Sequence, residues 1–268
     1  MSVKVAAWNV QEGLAEAERM PRIVKQVEQF DADVIVLSDA YSLDNELHGS
    51  QPDVLREAET GFSRQGYWWY GTEYCDSDPW HHDRNLVVLN RLPLVAGSFV
   101  RLATRNAVEL KVQDPCTDKT LHIVGAHFDD RSEAVRLRQA AAFLKHVDVE
   151  QPTVLAGDLN SVHALDLWPR MLGSNIMRFA TNYAPAARAR SIGKRLVEMS
   201  SGGSLAMLAT GGFRDADPLH RPSFPAKRSF LQLDHILLSE AAIAYHTRLV
   251  GQPDASDHRS VISTVSIQ

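Results

Sequence analysis

Cysteine is scarce in this chain. Cys75 and Cys116 are the only two in 268 residues. Two thiols cannot build the disulfide framework of a small secreted scaffold, and they fit a reducing compartment or a fold indifferent to one. Long apolar runs are missing too: none reaches the roughly 20 residues that a bilayer-crossing helix needs, so no membrane span is expected. The segment Met1–Val10 lacks the basic region, apolar stretch and small-residue cleavage site of a secretory leader, and a cytoplasmic location is the expectation. Positive charge is not in excess. Lys+Arg number 28 against 33 Asp+Glu, for a formal net charge of −5. That balance excludes a global electrostatic pull on nucleic acid, though not a local basic patch. Repeats, low-complexity tracts and linkers are absent as well. Residues 1–268 therefore read as a single domain, expected to be a monomer.

What is present is the composition of an ordinary globular protein, 44 % hydrophobic and 23 % charged, long enough to bury a core without staples. Ser2–Trp8 alternates as a strand does, with Val3, Val5 and Ala7 on one face. From about Ala15 to Phe30 the apolar positions Ile23, Val24, Val27 and Phe30 have helical spacing. Val34–Leu37 is a short continuous apolar run, the pattern of a strand covered on both faces. The chain thus opens β-α-β. Tyr67–Tyr70, Leu86–Asn90, Gly97–Leu102, Val108–Val112 and Leu121–Ala126 follow as short strands separated by turn signals, an antiparallel stretch. Arg131 to Val147 returns to helix, and Thr153–Ala156 is a further buried strand. Residues 162–210 read as helix or loop. Gln232–Leu238, Ala244–Val250 and Ser260–Ile267 close the chain as strands. Mixed βα and ββ connections predict a layered α/β sandwich.

Polar residues cluster where these strands end, and a strand end holds a side chain rigidly at the edge of a loop-lined cleft. Trp8-Asn9 ends the first strand. Asp39 follows Val34–Leu37. His127 follows Leu121–Ala126 directly, and Gly157-Asp158-Leu159-Asn160-Ser161 follows Thr153–Ala156. Asp234-His235 sits within Gln232–Leu238, and Ser256-Asp257-His258 precedes the last strand. Singly, each has a plain structural explanation: Asn9, Asp39 and Asp257 as caps, Asp158 and Asn160 as an Asx turn, His127 as a satisfied strand-end histidine. Together, and in this order, they resemble the motif set of the endonuclease/exonuclease/phosphatase (DNase I-like) superfamily, from Trp8 to Ser260.

The resemblance implies a four-layer α/β/β/α sandwich with two central mixed, largely antiparallel sheets. It implies a metal-dependent phosphoric ester hydrolase using Mg2+ or Mn2+. Phosphate esters repel nucleophiles until their charge is neutralised, which a hard cation with oxygen ligands accomplishes. Asp39 takes the place of the family's metal-binding acid, with Asn9 and Asp257 as further candidates for the metal shell. His258 is the ionisable catalytic group, since imidazole titrates near neutrality, and Asp234 orients it. Asp158 is the rival base that holds the attacking water, Asn160 donates to a phosphoryl oxygen, and His127 contacts a non-bridging oxygen. His235, alternating with Asp234, is expected to point away from the site. Two positions depart from the family pattern: Asp39 stands where Glu is usual, and Gln11 where a second acid is frequent. Glu12, next to Gln11, is expected to face the other way.

Substrate signals are weaker. Arg170, Arg178, Arg188, Arg190, Lys194 and Arg195 make the segment between Trp168 and Glu198 basic, a grip for flanking phosphates or simply a solvated helix face. Tyr67, Trp68, Trp69, Tyr70, Tyr74 and Trp80 offer stacking surfaces, although the first four suit a half-buried strand. Cys75, His81 and His82 match no structural zinc spacing. Asn85 stands where the family often has Gly. A phosphodiester in nucleic acid is the leading substrate expectation. A small phosphoester (sugar, inositol phosphate or lipid headgroup) is the alternative, and a catalytically weakened binding protein is the third reading.

Overall fold

The computed structural model describes residues 2–41, 52–71, 86–113, 118–163, 195 and 198–267. Cys75, Cys116, Tyr74, Trp80, His81, His82, Asn85 and the basic positions from Arg170 to Lys194 lie outside the described residues. In chain order the elements are β1 (Ser2–Asn9), a short 3-10 helix (Gly13–Ala15), α1 (Met20–Phe30), β2 (Val34–Ser38), α2 (Pro52–Arg64), β3 (Trp68–Gly71), β4 (Val87–Asn90), β5 (Leu94–Leu102) and β6 (Arg105–Gln113). Then come β7 (Thr120–Gly125), α3 (Glu133–His146), β8 (Thr153–Asp158), α4 (Gly203–Thr210), β9 (Arg214–Asp215), β10 (Asp234–Leu238), β11 (Ala242–Gly251) and β12 (Arg259–Ile267).

The strands form two six-stranded sheets, ordered β11-β12-β1-β2-β4-β3 and β5-β6-β7-β8-β10-β9. Only β1–β2 and β7–β8 pair in parallel; every other ladder between these strands is antiparallel. The period-2 pattern of β1 explains its position. Val3, Val5 and Ala7 enter a core shared by both sheets, with Val36, Val88, Ile123, Val154 and Ile236, whereas Ala6, Trp8 and Val10 face the layer of α1 and α2. A third apolar cluster lies between the second sheet and α3 and α4. The order is therefore helices, sheet, sheet, helices, as expected from the sequence.

The antiparallel stretch expected in the middle is divided between the sheets: β3 and β4 extend the first, β5 to β7 the second. Helix α1 starts at Met20, not near Ala15, because Gln11 and Glu12 adopt left-handed backbone (φ 51 and 61) and Pro21 occupies the first turn, where its missing N–H costs nothing. Three elements were not anticipated: the 3-10 helix, α2 and the two-residue strand β9.

The topology decides where the polar strand ends go. Asn9 lies beside Ser38 in the β1–β2 register, and Asp158 lies opposite Asp234 in the β8–β10 register. Gly157 lets β8 come this close to the segment after β7. Its φ is +140, and a methyl group there would collide with the Ala126 carbonyl oxygen, so no side chain is tolerated.

Candidate active site

The strand-end residues line one cleft of about 430 Å³, whose walls include Asn9, Gln11, Asp39, His127, Asp158, Asn160, Asp257 and His258. Asp158, the last residue of β8, is the hub. Its backbone N–H donates to Ser38 Oγ at 3.0 Å. Its carboxylate accepts from Asn9 Nδ2 at 2.8 Å and from the Asn160 N–H at 2.9 Å. His127 Nε2 stands 4.0 Å from Asp158 Oδ2.

Asp234, fully buried beneath the cleft, accepts from the Asn9 N–H at 3.0 Å through one oxygen. His258 Nδ1 meets the other at 2.7 Å. The expected acid–imidazole pair is thus formed. The loop before β12 is tied to β1 around it: Ser256 Oγ donates to Asn9 O at 2.6 Å, the His258 N–H donates to Ser256 Oγ at 3.0 Å, and Trp8 Nε1 donates to His258 O at 3.1 Å. The free edge of the imidazole, Nε2, lies 3.9 Å from Asp257 Oδ1.

Electrostatics divides the protons between these groups. Burial works against a charged imidazole, but the charge and hydrogen bond of Asp234, with Asp158 and Asp257 nearby, push His258 up to about 9. Burial and the charge of Asp234 push Asp158 up to about 6, against the pull of His258 and the Asn9 hydrogen bond. Near pH 7.5 the arrangement is an imidazolium facing a carboxylate.

Asp39 and Asn160 line the cleft with left-handed backbone, φ +52 and +47. Asp and Asn reach that region more readily than longer residues because their short polar side chains bond locally. Asn160 both closes an Asx turn on Asp158 and donates its amide to Phe128 O at 3.1 Å. Gln11 lines the cleft from a turn following β1; Glu12, in the same turn, is not among the lining residues. His235 does point away: its Nδ1 is 2.8 Å from Asp215 Oδ2 and its Nε2 2.9 Å from Ser161 O.

The donor set suits a hard divalent cation. Asp39 and Asp257 line the same cleft, and Asp257 Oδ1 is buried without a hydrogen-bond partner, a position that a cation satisfies. Asn9 has both side-chain polar atoms engaged, with Asp158 and with the Gln11 N–H, so its main effect is to orient Asp158.

Sequence reasoning missed the rest of the wall. Asp130 lines the cleft, as do the apolar Met199, Phe224, Phe230, Leu231 and Leu233. Phe224 packs against the His258 ring at 4.7 Å. No polar motif marks these apolar residues, and only the Leu233-Asp234 adjacency hints at them. Of the basic segment, Arg195 alone is both described and in the cleft wall. Tyr67 to Tyr70 lie on or beside the edge strand β3 and are not among the lining residues.

Comparisons with known proteins agree with this geometry. A search of curated protein sequences returned no match. Among solved structures, an endonuclease/exonuclease/phosphatase from Beutenbergia cavernae superposes with a TM-score of 0.70 at 20 % identity, over 99 % of this chain and 72 % of that one. The catalytic domain of human Nocturnin with bound sulfate gives 0.63 at 17 % identity, over 100 % and 94 %. D. rerio TDP2 complexed with single-strand DNA product gives 0.63 at 14 % identity, over 99 % of both chains. At these identities the likeness concerns the fold. The model of the Endonuclease/Exonuclease/phosphatase family matches residues 6–258, which spans every strand-end motif described above. The chain belongs to that family, whose enzymes generally act as hydrolases on phosphoester bonds.

Proposed function

We propose that this protein is a divalent-metal-dependent phosphodiesterase acting on nucleic acid. The observation that carries the reading is the convergence of the His258–Asp234 pair, Asp158, Asn160, His127 and the oxygen donors of Asp39 and Asp257 on one cleft. Asp39 and Asp257 would hold the divalent cation, which when bound would neutralise charge at the scissile phosphate, while Asn9 orients Asp158. Asp158, ionised above about pH 6, takes the proton of the attacking water. His258, protonated below about pH 9, donates to a phosphoryl oxygen or to the departing alkoxide, and Asp234 holds it in that form. Asn160 and His127 steady the non-bridging oxygens. On this reading the acid and base roles fall to different residues, His258 and Asp158.

Single-strand DNA in the TDP2 relative and sulfate in Nocturnin support a phosphate-bearing substrate of this class. The apolar wall of Phe224, Phe230 and Leu231 offers a surface for a base or sugar face beside the phosphate. The same wall in a cleft of about 430 Å³ also favours a second reading, a small phosphoester carrying one apolar group. The test is hydrolysis of bis-p-nitrophenyl phosphate, single- and double-stranded DNA, RNA and a panel of small phosphoesters with Mg2+ or Mn2+. Metal-stimulated cleavage of a polynucleotide, reduced at least about 100-fold in His258→Ala, is expected. Turnover of small monoesters alone would shift the substrate to the second reading. Activity unaffected by His258→Ala would remove the mechanism.

A further inference from the structure

We infer that His163, Asp215 and His235 form a second cation site, for a borderline transition-metal ion of the Zn2+ class, outside the catalytic cleft. The ligand atoms of these three residues lie within 4.8 Å of one another, and none of the three lines the cleft. Two imidazoles and one carboxylate are a donor set for zinc and its neighbours, not for Mg2+ or Ca2+, which prefer oxygen.

The hydrogen bonds around the cluster make the case sharper than proximity alone. The Ser161 carbonyl can only accept, so the His235 nitrogen 2.9 Å from it, Nε2, carries a proton. A neutral His235 ring then presents a bare lone pair on Nδ1, 2.8 Å from the Asp215 carboxylate oxygen Oδ2. Two acceptors at that separation need a positive centre, either a second ring proton or a metal ion. A third group aims at the same oxygen: His163 Nε2 is 3.7 Å from Asp215 Oδ2 and is buried without a hydrogen-bond partner. Zinc–ligand bonds of roughly 2.0–2.1 Å place neighbouring donors about 2.9 Å apart at right angles and about 3.4 Å apart in a tetrahedron. The observed 2.8 and 3.7 Å bracket those values.

The surroundings are those that orient metal ligands. An imidazole ligand commonly donates its other N–H to a backbone carbonyl, which fixes the tautomer, and His235 does so to Ser161. Asp215 is positioned by Gln232 Nε2 at 3.0 Å and the Asp217 N–H at 2.8 Å. The His163 ring lies flat on His220, with centroids 3.8 Å apart. His163 is the half-exposed member (27 % side-chain exposure, against 3 % for Asp215 and 0 % for His235), and it is the one free to close on an ion. A cation here would join β9 and β10 to the segment after β8. Asp234 adjoins His235, and Asn160 adjoins Ser161, so the ion would brace the two strands that carry the catalytic carboxylates from behind.

The experiment measures zinc binding to the full chain by competition with a chromophoric chelator, with Mg2+ in large excess to occupy the cleft. Wild type is expected to take up one zinc equivalent with at least micromolar affinity, and its Tm to rise by about 5 °C or more at saturating zinc. His163→Gln, at a half-exposed position, should fold normally, bind zinc at least about 10-fold more weakly and lose the Tm rise. Asp39→Asn, altered only in the cleft, should keep both. Zinc affinity that survives His163→Gln, or that vanishes in Asp39→Asn, overturns the proposal. So does failure of wild type to bind at micromolar zinc, which would leave the second ring proton as the charge between His235 and Asp215. Because the readout is binding and melting, the result is independent of whether the cleft hydrolyses any substrate.

Discussion

His258 touches one carboxylate and lies near two more, and that surrounding decides its charge. Burial opposes the imidazolium, but Asp234, Asp158 and Asp257 together push it up to about 9, while Asp158 is pushed up to about 6. If Asp158 must be ionised and His258 protonated, kcat/KM rises through about pH 6 and falls through about pH 9, a bell that stopped-flow or discontinuous assays across pH 5–10 will show. Asp234→Asn removes the charge that holds the ring protonated. We expect its kcat to fall about 10²–10⁴-fold and its alkaline limb to move to lower pH; a purely structural role for Asp234 would leave that limb in place. The same shift has a stability consequence. A histidine whose folded value exceeds the unfolded value near 6.5 contributes stability below about pH 6.5, and loses it as pH rises through about 9. The urea midpoint should therefore decline less between those limits in His258→Gln than in wild type. Much of this residue-scale picture was legible beforehand. Asn9, Asp39, His127, Asp158, Asn160, Asp257 and His258 all reach one cleft, because polar residues in the terminal positions of buried strands have nowhere else to point. The proposed division of roles between His258 and Asp158 was not legible, since it depends on burial and on the charges of Asp158, Asp234 and His258, which come from separate strands and loops and meet only in the fold.

Elements were legible where burial imposes a period. β1 and β2 are covered on both faces, and their apolar runs fix them. α2 escaped notice because its buried residues, Val54, Ala58 and Phe62, are few and lie among charged neighbours. β9 is a two-residue ladder held by β10, too short to carry a pattern. Long-range supports are equally invisible in sequence. Arg19, at the entrance to α1, donates to Val10 O at 2.6 Å, Gln11 O at 2.9 Å and Ala255 O at 2.9 Å. One guanidinium thus pins the turn after β1 to the loop that carries Ser256, Asp257 and His258. Arg19→Ala strands those carbonyls and should cost about 1–3 kcal/mol in urea unfolding, with a fall in kcat from the loosened His258 loop. Arg19→Lys restores the charge but not the fork, and should recover only part of either loss. An Arg19→Ala protein as stable and active as wild type would show that the loops hold their positions without it. Gly157→Ala tests the approach of β8 to the segment after β7. With φ +140 and the Ala126 carbonyl in the way, it should destabilise by about 3 kcal/mol or more, or prevent folding.

At the scale of the whole molecule, the two sheets bring residues from both ends of the chain to one place, and most of what they bring is negative. Asp39, Asp130, Asp158 and Asp257 line the cleft, against Arg195 and a protonated His258 as the cationic side chains among the described lining residues. The chain as a whole carries a formal net charge of −5. A polyanion approaching this cleft is repelled unless a cation is already there, since repulsion in a partly desolvated site is far stronger than in water. If Asp39 and Asp257 hold that cation, binding and not only turnover must depend on it. Asp158→Asn, lacking the proposed base, allows binding to be measured without cleavage. Its affinity for a short fluorescent single-stranded DNA, read by anisotropy, should be at least about 10-fold weaker in chelator than in Mg2+, and Asp39→Asn introduced beside it should abolish the difference. Few fixed positive groups in the described cleft also imply a shallow salt dependence, with log K against log[salt] falling by about 2 or less, as for two or three phosphate contacts. Equal affinity in chelator and in Mg2+, with a steep salt slope, would instead mean that basic side chains grip the substrate and that the carboxylates of the cleft serve no cation.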